Sequence, residues 1–239
     1  MWIKSGGRGT GLISSPYLLC LYGLVLLFAS SCSSPDTDYF PTTPGYEWTY
    51  DISRTIPVAH GPARQKSIVR NLQSQTVGGV KRYPKIYANG RKYIFIKSTE
   101  GISRLSSGED SAELVIGYPL SVGAKWSSAA RLQLFDLPRS QGDNWNMLSQ
   151  NMTLDYTITS LDETVKVPAG YFSRCLRINA VGFLDLPRRI MLGIRIIKVE
   201  QTQWYAPGVG LIKMTRREFA IPDLYPSEYT QVLTSFKQK

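Results

Sequence analysis

Cysteine and histidine are nearly absent from this sequence, with three of the first and one of the second in 239 residues. A lone histidine cannot complete a Ser-His-Asp or Cys-His arrangement with any pattern present, and no serine sits in a nucleophile elbow. His60, in the loop His60-Gly61-Pro62, has no second histidine or cysteine near it to form a metal set, so neither a metal nor a cofactor is expected. Cys175 has no base close in sequence and reads as a structural thiol. Acids number only 18. A carboxylate enzyme would have to draw on Asp136 and Asp185, which end two similar strand-like runs. Sustained helical periodicity is also missing beyond the first 32 residues, which excludes a bundle or an α/β fold.

What is present begins with an apolar run over 18–32, preceded by Lys4 and Arg8 and closed by Ala29-Ser30-Ser31-Cys32. Its uninterrupted part, 17–29, is shorter than the ~20 residues a membrane span prefers, so it reads as a cleaved secretory signal rather than an uncleaved anchor. The closing tetrapeptide resembles a bacterial lipobox, which implies cleavage before Cys32 and acylation of that cysteine. Ser33 follows in place of an acid, and by the same resemblance this implies outer-membrane sorting. The expected organisation is a removed signal over 1–31, a lipidated N-terminus and linker over 32–44, and one domain over 45–239. With Cys20 removed and Cys32 acylated, Cys175 has no partner for an intrachain disulfide, so stability must come from an ordinary core.

The charge balance is basic, with 28 Lys and Arg. Loss of Lys4 and Arg8 with the signal leaves 26 basic and 18 acidic residues, a net charge of +8. Outside the cytoplasm such a surface meets lipid head groups or acidic proteins, and nucleic acid is excluded as a partner.

Along the domain the pattern is that of strands. The first is expected at 47–54. Strands at 66–76, 81–88 and 91–97 are punctuated by Gly78-Gly79 and by the hairpin signal Asn89-Gly90. In the last of them Tyr93 and Phe95 face one side and Ile94 and Ile96 the other, so both faces call for cover. Short strands follow at 102–105 and 112–116. The segment 152–161 alternates apolar and polar residues, Asp162-Glu163 suggests a turn into 164–167, and Pro168-Ala169-Gly170 breaks the chain before 172–181. The run 190–202 is β-branched, Trp204 to Gly210 suggests a corner, and strands at 211–217 and 229–236 close the chain. Phe40-Pro41, Gly45 and Trp48 are echoed by Tyr118-Pro119, Gly123 and Trp126. The expected class is all-β: a single domain built on a strongly curved antiparallel sheet or half-barrel.

Four stretches resemble a group of bacterial outer-membrane lipoproteins without an established activity. They are Tyr39-Phe40-Pro41 with Gly45, Trp48 and Tyr50; Tyr118-Pro119-Leu120 with Gly123 and Trp126; Val167-Pro168-Ala169-Gly170-Tyr171-Phe172 with Cys175; and Trp204-Tyr205-Ala206-Pro207-Gly208-Val209-Gly210 with Lys213. The resemblance implies a curved sheet like the half-barrels of periplasmic lipoprotein carriers, and implies no reaction.

Basic residues gather at Arg188 and Arg189, at Arg195 and Lys198, and at Lys213, Arg216 and Arg217. If the last long strands pair, these form a patch for an anion or an acidic partner; alternatively they are edge charges that block aggregation. The leading expectation is a non-enzymatic lipoprotein, anchored in the outer membrane by N-terminal acyl chains. It faces the periplasm and docks on another envelope protein as a structural or assembly component. The alternative is a lipid or lipoprotein carrier with an apolar cavity, lined by residues such as Phe95, Ile194 and Ile196.

Overall fold

Alternating side chains and turn residues build a sheet in which nearly every strand follows its sequence neighbour. The computed structural model describes residues 1–2, 6, 38–55, 63–105, 112–132, 152–185, 196–221 and 226–238. The chain divides into Met1–Asp36 and Thr37–Lys239, and the second unit carries the sheet. Its first seven strands are β1 (Glu47–Thr55), β2 (Ala63–Asn71), β3 (Gln75–Val77), β4 (Val80–Tyr87), β5 (Lys92–Lys97), β6 (Gly101–Leu105) and β7 (Ala112–Gly117). Six more follow: β8 (Lys125–Ala130), β9 (Met152–Val167), β10 (Gly170–Asp185), β11 (Ile196–Ala206), β12 (Gly210–Ile221) and β13 (Ser227–Lys237).

The hydrogen-bonded order is β7-β6-β5-β4-β2-β1-β13-β12-β11-β10-β9-β8, with β3 paired to β4 off this path. All pairings are antiparallel. The meander therefore curls until its first and last strands join, from Glu47 opposite Lys237 to Thr55 opposite Glu228. This leaves β7 and β8 as the two ends of the ladder, and they also meet. Ser128 Oγ accepts from the Leu114 N–H at 2.8 Å, and Trp126 Nε1 donates to the Leu114 carbonyl at 3.0 Å. Side chains thus seal the seam that backbone pairing leaves, which blunts two strand edges. The expected all-β, strongly curved antiparallel sheet is present, and it curls further than a half-barrel into an almost closed, up-and-down barrel.

The two aromatic echoes mark matching strand entries. Gly45 and Gly123 adopt φ of 85° and 89°, a region open to glycine. Each donates its N–H to a neighbouring strand, at Asn71 and Ile158 respectively. Three residues on, Trp48 and Trp126 each donate an indole N–H to a backbone carbonyl, of Val209 and Leu114.

Several local expectations are corrected. The expected strand at 66–76 breaks between Asn71 and Gln75 into β2 and β3. Asp162-Glu163 makes no turn, because β9 runs through it to Val167. The irregularity appears instead as register shifts against β10 between Phe172 and Ile178, with Arg174 at φ 54°. Such bulges bend a strand, and the hairpin tip reaches β13, where the Ala169 N–H donates to the Leu233 carbonyl. The bend carries Cys175 into a cluster with Val165, Val167, Trp204, Ile212 and Leu233. Trp204 and Tyr205 belong to β11, and the corner itself is 207–209. Ile94 and Ile96 stay half-buried.

Candidate functional site

Inward-pointing residues recur every second position, as a pleated strand requires. On β1 they are Trp48, Tyr50, Ile52 and Arg54; on β4, Lys85 and Tyr87; on β11, Gln201, Gln203 and Tyr205. They line a cavity of about 650 Å³ inside the barrel. Phe40, from the segment preceding β1, caps one end of it, with its ring 4.8 Å from that of Phe95. That segment is held in place by Tyr39, whose hydroxyl donates to the Arg174 carbonyl at 2.9 Å, and by the Lys97–Asp38 ion pair at 3.0 Å. At the far end the lining residues Arg54, Arg91 and Arg131 are exposed, so the cavity reaches solvent there.

The lining is aromatic and cationic. Among the described lining residues, Arg54, Lys85, Arg91, Arg104, Arg131 and Arg216 stand with one acid, Glu113. Two of the arginines are neutralised locally. Arg104 pairs with Glu113 and lies 5.0 Å over the Tyr93 ring. Arg216, only 1% exposed, binds Glu218 at 2.7 Å, Gln201 at 3.0 Å and the Arg131 carbonyl at 2.7 Å. Removing Glu218 would leave an uncompensated buried charge, so this pair acts as an internal strut.

Lys85 is arranged differently. It is 8% exposed, and its Nζ lies 4.0 Å from the Phe40 ring centroid, 4.4 Å from Trp48 and 5.6 Å from Phe95. Among the described residues no carboxylate bonds it. Burial, reinforced by the positive charge of Lys97 and opposed by Asp38, holds its ammonium down to about 7. Burial also pushes the Tyr50, Tyr87 and Tyr205 hydroxyls above their ordinary range, so these groups stay protonated at neutral pH. Tyr50 uses its proton on the Leu211 carbonyl at 2.9 Å. Gln203 Oε1 and Arg104 Nε are buried without a hydrogen-bond partner, which is uncommon for buried polar atoms.

Among the described residues, the basic side chains singled out in the sequence do not all share one surface. Arg188, Arg189 and Arg195 lie outside the described residues, as do Cys32, His60, Asp136 and Ile194. Lys198 pairs with Glu200 at 2.7 Å, and Arg217 pairs with Glu200 at 3.9 Å and Glu228 at 3.3 Å. Lys213 sits 4.8 Å over the Trp204 ring. Arg216 points the other way, into the barrel. Cys175 is fully buried, and its thiol is pushed up to about 11, by burial first and then by Glu163. Phe95 lines the cavity as the carrier alternative expected, whereas Ile196 does not.

Sequence reasoning missed Lys85 and Gln203. The signal was there for Lys85: the Asn89-Gly90 hairpin places it opposite Tyr93, and Tyr83 opposite Phe95, on a shared aromatic face.

No family profile and no curated protein matches the chain. Two solved structures are similar. A Bacteroides fragilis chain described as an exported protein with a YmcC-like fold is 17% identical, with 83% of this chain and 98% of that one covered and a TM-score of 0.40. A chain described as a lipoprotein from Parabacteroides distasonis is 15% identical, with 84% and 99% covered and a TM-score of 0.44. At these scores neither likeness carries an argument about activity.

Proposed function

We propose that this is an exported, lipid-anchored, non-enzymatic protein of the outer membrane that faces the periplasm and binds a small ligand inside its barrel. The observation that carries this reading is the cavity of about 650 Å³, a volume typical of ligand sites and larger than a packed barrel core leaves. The lipobox-like Ala29-Ser30-Ser31-Cys32 supports the anchor.

The lumen takes precedence over docking as the site of recognition because the cations Lys198 and Arg217 are met by Glu200 and Glu228. A carrier is therefore favoured over an assembly component that recognises a partner through a bare basic patch.

Native mass spectrometry of the protein extracted in mild detergent tests the reading. The expected result is a small-molecule increment, lost on denaturation and absent from Ser67→Trp, which fills the lumen wall. A protein-sized increment retained by Ser67→Trp, or no increment at all, would reject the carrier in favour of the assembly role. Labelling with an alkynyl palmitate tests the anchor: the wild type is expected to take up label and Cys32→Ser to take up none, while equal labelling would remove Cys32 as the attachment site.

A further inference from the structure

Lys85 has no role in holding the barrel together that an apolar residue would not fill better. An ammonium moved out of water needs a counter-charge, and the faces of Phe40, Trp48 and Phe95 supply only part of one. The nearest carboxylate in play, Asp38 on the capping segment, already receives Lys97 Nζ at 3.0 and 3.2 Å. From β2, Asn71 is opposite Lys85; its Nδ2 donates to the Pro41 and Thr43 carbonyls, and its Oδ1 is buried without a hydrogen-bond partner, a neutral acceptor that supplies no counter-charge. From β1 and β4, Tyr50 and Tyr87 face the cavity as neutral phenols. The site thus has a cation, apolar walls, and a place for a negative charge that the protein does not fill. Gln203 Oε1 and Arg104 Nε, buried and unpartnered in the same lining, add one acceptor and one donor for a ligand's polar atoms.

We propose that the lumen selects a small organic anion with an apolar body, its carboxylate, phosphate or sulfonate paired with Lys85 and its body laid against Trp48, Phe95 and the neighbouring tyrosines. This deepens the lumen-binding reading and depends on it. Selectivity follows from sign: cations line the cavity and its solvent-facing end, so a neutral molecule of the same shape gains only the apolar contacts. Since Lys85 is an ammonium below about pH 7 and loses its proton above it, the anion binds best at acidic to neutral pH. Each step upward must be offset by proton uptake on binding.

Two dyes with the same ring system separate the claims: 1-anilinonaphthalene-8-sulfonate, and its uncharged counterpart N-phenyl-1-naphthylamine. Binding to the full mature protein is followed by fluorescence titration from pH 6 to 9. We expect the sulfonate to bind 1:1 and to weaken about tenfold or more in Lys85→Met, the scale of one charge-assisted bond, with the neutral dye unchanged. Lys85→Arg should keep the sulfonate at every pH and remove the loss of affinity above pH 7. Both dyes should be lost in Ser67→Trp. If both are blocked by Ser67→Trp but the sulfonate is indifferent to Lys85→Met, the anion inference fails and the lumen reading stands. If neither dye binds, both fall. Circular dichroism of Lys85→Met establishes that the barrel is intact, as expected for an apolar side chain among aromatic rings.

Discussion

The two sides of this barrel use one backbone pattern for opposite ends. Between β9 and β11 the inward residues Leu154, Ile158, Leu176, Ile178, Ile197 and Val199 are at most 1% exposed and close the interior. There β9 and β10 approach so closely that a Cβ on Gly182 would lie 2.4 Å from the Thr153 carbonyl oxygen. Around the cavity the same alternation turns Tyr50, Lys85, Tyr87 and Arg104 inward, together with Gln203 and Tyr205 of β11, and there the interior stays hollow. The packed side is apolar and short of space; the hollow side is amphipathic, and its side chains hold one another apart through hydrogen bonds and ring contacts. A barrel wide enough to be filled by side chains on one flank can thus keep a chamber on the other. The packed core also takes in Ile102 of β6 and Ile116 of β7, and the cavity also draws on Gln203 of β11 and Arg216 of β12, so packing and chemistry share the strands rather than dividing them.

Truncation should still be felt unequally in the two regions. Leu176→Ala, on the packed side, is expected to lower unfolding stability by ~2–5 kcal/mol, whereas Val115→Ala on the cavity wall should lose about 1 kcal/mol or less; equilibrium urea denaturation compares them. Equal losses would erase the distinction.

Lys85 sharpens the contrast from the other side, since here removal of a buried group should help. Its proton affinity is lower in the folded chain, about 7, than the ordinary 10.5 of the unfolded one. Between those values the unfolded state holds more protons, so stability rises with pH across the window. Lys85→Met should be more stable than the wild type by a few kcal/mol at pH 6, with the gap shrinking toward pH 9.5. A constant gap would show that Lys85 does not titrate there.

Trp48→Phe and Trp126→Phe each delete one indole N–H bonded to a carbonyl, and each should lose ~1 kcal/mol in thermal or urea unfolding. A much larger loss for Trp126 would mark the β7–β8 seam as the weakest point of closure. The smallest effect is chemical. Cys175, buried and with its thiol pushed up to about 11, should resist maleimide in the native protein and react only after denaturation.

Much of the architecture was legible because strand periodicity and turn chemistry are local. The Asn89-Gly90 hairpin, the break at Pro168-Ala169-Gly170 and the alternation of 152–161 all lie where the residues indicate. Asp162-Glu163 misled because two adjacent acids suit a turn, yet they suit an exposed bulge equally well, and the pull of Val165 and Val167 toward Trp204 and Ile212 chose the bulge. The expected patch joining Arg188, Arg189, Arg195, Lys198, Lys213, Arg216 and Arg217 was drawn from pairing of the last long strands, and β11 and β12 do pair. Adjacent residues on a strand point to opposite faces, so Arg216 and Arg217 could not serve one surface together.

The linear pattern alone determined the all-β class and most of the individual strands, because each depends on composition or on residues within one hairpin. Only the tertiary structure decided which face of each strand became the interior. On β4 the hairpin puts Lys85 on one face with Tyr83 and Tyr87 and Ile86 on the other, and closure buries the face that carries Lys85. Curling the meander until β1 met β13 gathered Tyr93 and Phe95 of β5, Trp48 of β1 and Phe40 around that lysine from three separate segments. Closure is a long-range event between strands some 180 residues apart, and no local preference records which side will be enclosed.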